Sequence, residues 1–138
     1  MNNNSFFIEK LRSSNLRPTK QRLEICRLLF DRDKTFHFTI ADISKIFKKK
    51  TKRKISLATI YNTVHSFKKK GYLKEISINT EKSYFDTNTS EHHHFLDEDT
   101  NELMDLKKED VDKIKIKKMV PGKKIKSIEV IVKVENSY

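Results

Sequence analysis

One stretch of this chain constrains its fold more than any other: a capped amphipathic helix that runs directly into a hairpin. Ser56 is a favourable N-cap residue, and a stripe of apolar residues follows it at helical spacing. The stripe consists of Leu57, Ile60, Val64 and Phe67. The basic run 68–70 suits the C-terminal end of a helix dipole, and Gly71 is a natural residue to end the helix. We therefore predict a helix from Ser56 to Lys70.

Shorter helical patterns precede this helix, and a hairpin pattern follows it. We expect a short helix capped by Ser5, a second helix over about 18–31, and a third that begins after Thr39. Residues 72–78 and 83–85 predict two strands joined by a turn. Helices followed by a two-stranded hairpin are typical of a winged helix-turn-helix domain, in which the last two helices form the helix-turn-helix and the hairpin forms the wing.

The second half of the chain has a different pattern. Residues 92–96 and 102–106 predict two short strands around an acidic turn, and 128–134 alternates like a final strand. Residues 107–118 fit either a short helix or a strand. Fewer than fifty residues bury little core alone, so we expect this half to form a homodimer. The predicted α+β fold has a winged-helix domain at 1–86, a hinge at 87–91, and a dimerisation and ligand-sensing domain at 92–138.

Charge is distributed unevenly along the chain. The formal net charge is +11, and residues 1–80 carry 19 basic and 6 acidic side chains. A basic N-terminal block suits a polyanion, and double-stranded DNA is the partner that a winged helix favours. An alternative explanation is compositional, because an AT-rich genome enriches lysine and 24 of the 30 basic residues are lysine.

The helix after Ser56 has a polar face that suits the major groove. Small side chains allow a helix to approach base edges, and an asparagine can pair bidentately with adenine. The candidate DNA-contacting residues of this helix are Thr59, Tyr61, Asn62, Thr63 and Ser66. Arg17, Lys20 and Arg22 are candidates for phosphate contacts at the start of the second helix. The alternative is an ordinary solvated face, which every amphipathic helix has.

Three consecutive histidines form the second functional signal. In an extended segment His92 and His94 share a face and can bind one ion, whereas His93 points away. Imidazoles bind iron, zinc, nickel, copper or haem iron. Asp86 and Asp105 flank the run, and with His37, which we expect in an exposed loop, they would complete a ligand shell if the fold brought them together. A histidine run can also be a plain surface tract.

Several classes of protein are disfavoured by what the sequence lacks. It has no His-Glu-x-x-His helix and no glycine-rich phosphate loop, so we do not expect an enzyme. The single cysteine, Cys26, excludes an intrachain disulfide and a Cys-x-x-Cys zinc site, and we expect it in a helix core. No apolar run approaches the roughly 18 residues of a membrane span, and the N-terminus has no secretory signal. We expect a cytoplasmic protein without a membrane partner.

Three motifs together resemble the ferric uptake regulator family in order and spacing. They are LRPTKQR at 16–22, SLATIYNTV at 56–64 and the histidine run at 92–94. The resemblance covers about residues 8–134 and implies a winged-helix domain, a hinge and a small α/β dimerisation domain. It also implies a regulatory metal site formed by His37, Asp86, His92, His94 and Asp105. For DNA, it points to Arg17 in the minor groove and to Tyr61 with the 59–62 face in the major groove.

Residues 84–95 and 101–106 look like the iron response regulator branch of this family. That branch implies haem binding by His92, His93 and His94, and DNA binding under iron limitation that haem weakens. The family's structural zinc cysteines are missing, and Asp97 and Thr100 stand where the first pair would be. A structural zinc site with four cysteines is therefore not expected.

The resulting hypothesis is an iron- or haem-responsive transcription regulator of iron homeostasis genes, a homodimer on a palindromic operator. The alternative in the same class is a regulator co-repressed by Fe²⁺ or Mn²⁺, with Zn²⁺ as a further candidate metal. From other classes, a metal-dependent hydrolase, a metal-buffering protein and an unregulated winged-helix module remain. The sequence leaves open the operator, the target genes, the sign of regulation at each promoter and the choice between haem and free metal.

Overall fold

A computed structural model describes residues 4–138, and it divides the chain into two compact units. The first unit ends at Thr89, and the second unit spans Ser90–Tyr138. Each unit contains a three-stranded sheet, and all four α-helices belong to the first unit. The predicted α+β class is confirmed. Within residues 4–138, no helix is both long enough and apolar enough to cross a membrane.

The helices of the first unit begin where the sequence offers caps. They are α1 (Asn4–Ser13), α2 (Lys20–Phe30), α3 (Ile40–Thr51) and α4 (Leu57–Lys70). Thr39 and Asp42 form a capping box with hydrogen bonds of 2.9 and 3.1 Å, and the Ser56 hydroxyl accepts the Thr59 N–H at 3.1 Å. Gly71 ends α4 in the left-handed conformation at φ +93°. The prediction that Ser5 caps α1 is wrong, because the helix already includes Ser5.

The sheet of the first unit contains one strand that the sequence did not reveal. Its members are β1 (His37–Phe38), β2 (Lys74–Ser77) and β3 (Ser83–Asp86), and the order is β1–β3–β2 with antiparallel pairing. The hairpin of β2 and β3 was predicted as a wing. His37 was expected in an exposed loop, and this was wrong because it lies in β1, which is half-buried. A strand of two residues has no periodicity from which it could be recognised.

A single apolar cluster holds the helices and the wing of the first unit together. Its most deeply buried side chains include Ile25, Leu29, Phe38, Ile43, Ile60, Val64 and Phe67. Three of these belong to the predicted stripe of α4, so this face of the helix is fixed in the core and the opposite face stays open. Leu57 departs from the stripe, since it is 58% exposed at the first turn of α4.

The second unit is a small sheet followed by a long irregular segment. Its strands are β4 (His93–Asp97), β5 (Glu102–Leu106) and β6 (Ile131–Val134). β4 is the central strand, antiparallel to β5 and parallel to β6. The region 107–118 contains one 3-10 turn, Lys108–Asp110, instead of the predicted helix or strand. β6 begins three residues later than the predicted strand over 128–134.

Candidate functional site

In the first unit, strand pairing places a histidine beside a buried carboxylate. His37 on β1 is the register partner of Asp86 on β3, and His37 Nε2 lies 3.0 Å from Asp86 Oδ2. Asp86 is 0% exposed, and its other oxygen, Oδ1, accepts the Asn88 N–H at 2.8 Å. A buried carboxylate is stable only with such partners. The pair therefore presents one imidazole nitrogen and one carboxylate oxygen at a fixed position.

In the second unit, two histidines converge on one carboxylate. Asp105 on β5 is the register partner of His94 on β4. Asp105 Oδ1 lies 3.1 Å from His92 Nε2 and 3.5 Å from His94 Nε2, and the two imidazole centroids are 4.5 Å apart. Both histidines are buried, whereas the Asp105 side chain is 37% exposed. We call these three residues the His-Asp triad.

One hydrogen bond of His92 determines which of its ring nitrogens carries the proton. Nδ1 lies 2.7 Å from the carbonyl oxygen of Ser90, and a carbonyl can only accept, so Nδ1 carries the proton. In the neutral ring Nε2 then has a lone pair, which points toward Asp105 Oδ1 at 3.1 Å. Two acceptors face each other in this way only when a proton or a metal ion lies between them. An imidazole whose Nδ1–H is fixed by a backbone carbonyl is the usual form of a metal-binding histidine.

The middle histidine has a different environment. His93 is buried, and its Nδ1 accepts the N–H of Val130 at 3.1 Å. It lines a cavity of about 630 Å³ within the second unit. Its wall combines aliphatic side chains with equal numbers of basic and acidic ones: Val111, Ile114, Ile125 and Ile128, then Lys108, Lys113 and Lys126, then Glu91, Glu109 and Asp112. The histidine run is therefore divided between the His-Asp triad and this cavity.

The exposed face of α4 carries four of the five residues of this helix that were predicted to contact DNA. Tyr61 and Asn62 are exposed, and Thr59 and Ser66 are half-buried. The prediction that Thr63 lies on the exposed face is wrong. Its side chain is 0% exposed, and its hydroxyl donates to the Thr59 carbonyl at 2.8 Å. Position 63 lies between two core positions of the helix, so its side chain faces inward and has no route to a base edge.

Two contacts on this surface were not foreseen from the sequence. Tyr61 stacks on His65 with the ring planes at 8° and the centroids 5.6 Å apart. The sequence signal for this contact is the spacing of four residues, which places two side chains next to each other on a helix. At the start of α2, Arg22 Nη1 donates to the Arg17 carbonyl at 2.9 Å. Arg17 and Lys20 are exposed, so their charges are available to a polyanion.

Cys26 is excluded from the chemistry of the site by its burial. It is 0% exposed in the core of the first unit, as predicted. Burial raises the pKa of its thiol to about 12, so the thiol stays protonated near neutral pH. A protonated thiol is neither a nucleophile nor a metal ligand.

Comparison with known proteins identifies the family. The sequence model described as "Ferric uptake regulator family" matches residues 13–133. The chain belongs to the ferric uptake regulator family. The Peroxide-responsive repressor PerR of Staphylococcus epidermidis is 34% identical over 107 residues, which cover 78% of this chain and 69% of the relative. The Peroxide operon regulator of Bacillus subtilis is 32% identical over 99 residues, covering 72% and 66%. This chain matches about two thirds of the length of these curated relatives.

Solved structures of the ferric uptake regulator family share the fold. The regulator of Vibrio cholerae aligns with a TM-score of 0.67 at 17% identity and covers 94% of this chain and 98% of that one. The manganese-containing regulator of Pseudomonas aeruginosa aligns with a TM-score of 0.64 at 19% identity, covering 96% and 98%. The family expected from the sequence is confirmed, and its regulators are metal-responsive, dimeric DNA-binding transcription factors. Assignment to the iron response regulator branch stays a prediction.

Proposed function

We propose that this chain is a repressor-type regulator whose operator binding depends on Fe²⁺ or Mn²⁺ at the His-Asp triad. The observation that carries the proposal is the approach of His92 Nε2 to Asp105 Oδ1 at 3.1 Å, with Nδ1 held by a backbone carbonyl. Two imidazoles and one carboxylate form a donor set that fits a divalent first-row metal, and the exposed edge of Asp105 provides an entry path.

The same proposal assigns the remaining ligands to His37 and Asp86. The three residues of the second unit leave coordination positions open, and the pair of the first unit supplies one nitrogen and one oxygen. Together these side chains offer three nitrogens and two oxygens without a thiolate. This set suits Fe²⁺ or Mn²⁺, whereas structural Zn²⁺ sites are usually four-coordinate and often contain cysteine.

Thermodynamic linkage would couple such a site to DNA. A ligand changes DNA affinity only when it binds the DNA-competent and DNA-incompetent arrangements with different affinity. The proposed ligands are divided between the two units. In this proposal, a metal ion that binds all of them therefore favours the arrangement of the protein in which α4 can bind DNA. In this proposal the metal-loaded homodimer binds a palindromic operator, and the metal-free protein binds it weakly.

The curated relatives suggest what the signal is. Two of them carry the names peroxide-responsive repressor and peroxide operon regulator. We extend the proposal accordingly: treatment of the iron-loaded protein with peroxide lowers its operator affinity, whereas the manganese-loaded protein is less sensitive because Mn²⁺ is harder to oxidise.

A second candidate is the haem-responsive function of the iron response regulator branch, in which haem weakens DNA binding. It is favoured by the 630 Å³ cavity that His93 lines, since aliphatic walls suit a porphyrin, whereas the acidic residues Glu91, Glu109 and Asp112 of the same wall disfavour its carboxylates. The hydrogen bond from Val130 to His93 Nδ1 counts against it. This bond leaves the proton of the neutral ring on Nε2, so coordination through Nε2 requires the ring to give up the bond from Val130.

Fluorescence anisotropy on an AT-rich palindromic duplex at about 0.1 M salt separates these candidates. We expect weak binding by the metal-free protein and at least about tenfold tighter binding with Mn²⁺, which corresponds to about 1.4 kcal/mol. The variant with His92→Ala and Asp105→Ala should lose the metal effect, and Glu98→Ala, an exposed acid of the same unit, should keep it. Tight metal-free binding that haem abolishes would support the second candidate. Binding that neither ligand changes would leave an unregulated winged-helix module.

A further inference from the structure

The exposed side of α3, together with the C-cap residue of that helix, carries a concentrated positive surface that the operator-reading face of α4 does not include. Four lysines line one shallow depression of about 420 Å³, and all four are exposed. They are Lys45, Lys48, Lys49 and Lys52, and we call them the α3 lysine surface. The depression has no other lining residue, so no acidic side chain offsets the four ammonium groups there.

Nothing on the described part of the chain neutralises this surface. No ion pair within residues 4–138 involves any of the four ammonium groups, whereas neighbouring Arg53 is held by Glu24 at 3.0 Å. The sequence contains no acidic residue between Asp42 and Glu75, and Asp42 is occupied in the cap of α3. Lysines three and four residues apart on a helix repel one another. The surface is therefore electrostatically unfavourable until it meets an anion.

We propose that the α3 lysine surface binds the phosphate backbone of operator DNA beside the segment that α4 reads. The proposal rests on the proposed function, because it supposes that α4 enters the major groove. The chain passes from Lys52 to Ser56, the N-cap of α4, in four residues, so both surfaces belong to one end of the same unit.

The dimensions of the surface match a DNA strand. Lys45 and Lys52 are seven residues apart, which corresponds to about 10 Å along a helix. Phosphates of one DNA strand recur about every 3.4 Å along the duplex axis, so about four of them lie along this length, counting both ends. The apolar face of α3, with Ile43 and Phe47, is buried in the core. An anionic membrane is therefore a poorer partner, since amphipathic helices bind bilayers by inserting their apolar face.

The salt dependence of binding tests this assignment. In the variant K45Q/K48Q/K49Q/K52Q, the slope of log affinity against log salt, between about 0.05 and 0.2 M, should become shallower by about 3.6 for each bound protomer, and so by about 7 for the homodimer, at about 0.9 for each lost phosphate contact. The preference for operator over a scrambled duplex should stay within about twofold, because phosphate contacts carry no sequence information. The matched control removes four exposed lysines of the second unit, K115Q/K117Q/K118Q/K124Q, and should change the slope by less than one.

An unchanged slope in the α3 variant, or an equal change in the control, would overturn the proposal. Loss of binding to phosphatidylserine vesicles with an unchanged DNA slope would assign the surface to a membrane instead. If the α3 variant does not fold, as judged by its circular dichroism, the double variant K48Q/K52Q should still reduce the slope by about 1.8 for each bound protomer, or about 3.6 for the homodimer. Wild-type protein that binds operator and scrambled duplex equally with every metal would contradict the proposed function. In that case the slope of log affinity against log salt, measured on either duplex, would still test the α3 lysine surface.

Discussion

The hydrogen bonds of single imidazoles decide which ring nitrogen of each histidine in this protein carries the proton. His92 donates through Nδ1 to a backbone carbonyl and keeps Nε2 for the His-Asp triad. His93 accepts a backbone N–H through Nδ1 and faces a cavity. These adjacent residues, at and just before the start of β4, therefore have opposite proton arrangements because their side chains meet different backbone groups. The sequence predicts the alternation of faces but not the backbone partner of each ring.

Replacement of Asp105 by Asn tests the triad with little change of shape. The amide removes the negative charge between His92 and His94, so we expect Mn²⁺ affinity to fall at least about tenfold. Isothermal titration of the metal-free protein measures this change. Glu98→Gln, which neutralises an exposed carboxylate of the same unit, serves as the control. Equal Mn²⁺ affinity in the two variants would show that Asp105 is not a ligand.

Burial of Cys26 has a consequence at high pH. Its thiol has a pKa raised to about 12 in the folded protein, against about 8.5 in an unfolded chain. Between these values the unfolded state binds fewer protons, so folded stability is lost as pH rises above about 9, by at most about 1.4 kcal/mol per unit. Urea unfolding at pH about 8 and 10 should show a smaller loss for Cys26→Ala than for wild type. Parallel losses in both proteins would contradict this account.

Among the secondary-structure elements, those with strong local signals were predicted well. α4 begins after Ser56 and ends before Gly71, and β5 has the predicted bounds, because caps and alternating residues act locally. β1 and the irregular segment after β5 were not predicted. β1 exists because β3 pairs with it, and this partner is 47 residues away in the chain. A pairing over such a distance leaves no local pattern in the sequence.

The cap of α4 connects element stability to DNA binding. Removal of the Ser56 hydroxyl leaves the Thr59 N–H without its acceptor, so Ser56→Ala should lower the free energy of unfolding by about 1 kcal/mol. The end of α4 that would enter the groove should fray, and operator affinity should fall with stability. Urea unfolding and anisotropy measure the two effects, with exposed Ser77→Ala as the control. A variant as stable as the control would mean that the cap contributes nothing.

An ion pair links α4 to the wing. Lys68 Nζ lies 2.5 Å from Glu75 Oε1, and this hydrogen bond holds the pKa of the Glu75 carboxyl below its usual value. A lowered carboxyl pKa stabilises the folded protein above the usual pKa of about 4.3, and the stabilisation is lost as pH falls. Both groups are partly exposed, so Glu75→Gln should cost no more than about 0.5 kcal/mol at pH 7 and nothing near pH 3. A cost that persists at pH 3 would indicate packing instead of charge.

Over the whole molecule, the sequence identifies the family and the candidate metal ligands, but not how these ligands are distributed between the two units. Five metal-binding candidates were named from positions 37 to 105, and each is found beside at least one other candidate, as a pair in the first unit and a triad in the second. Thr63 was assigned to the wrong face of α4, because a threonine suits both a buried and an exposed position. The nature of the signal depends on the affinity of the site for each ligand, which residue types alone do not determine.

The reciprocity of linkage gives the most direct test of the central claim that metal at this site controls operator binding. If Mn²⁺ tightens operator binding by a given factor, saturating operator must tighten Mn²⁺ binding by the same factor. Mn²⁺ titrations with and without the palindromic duplex measure this factor independently of the anisotropy experiment. We predict an increase in Mn²⁺ affinity of at least about tenfold when operator is present. The same Mn²⁺ affinity with and without operator would contradict the account.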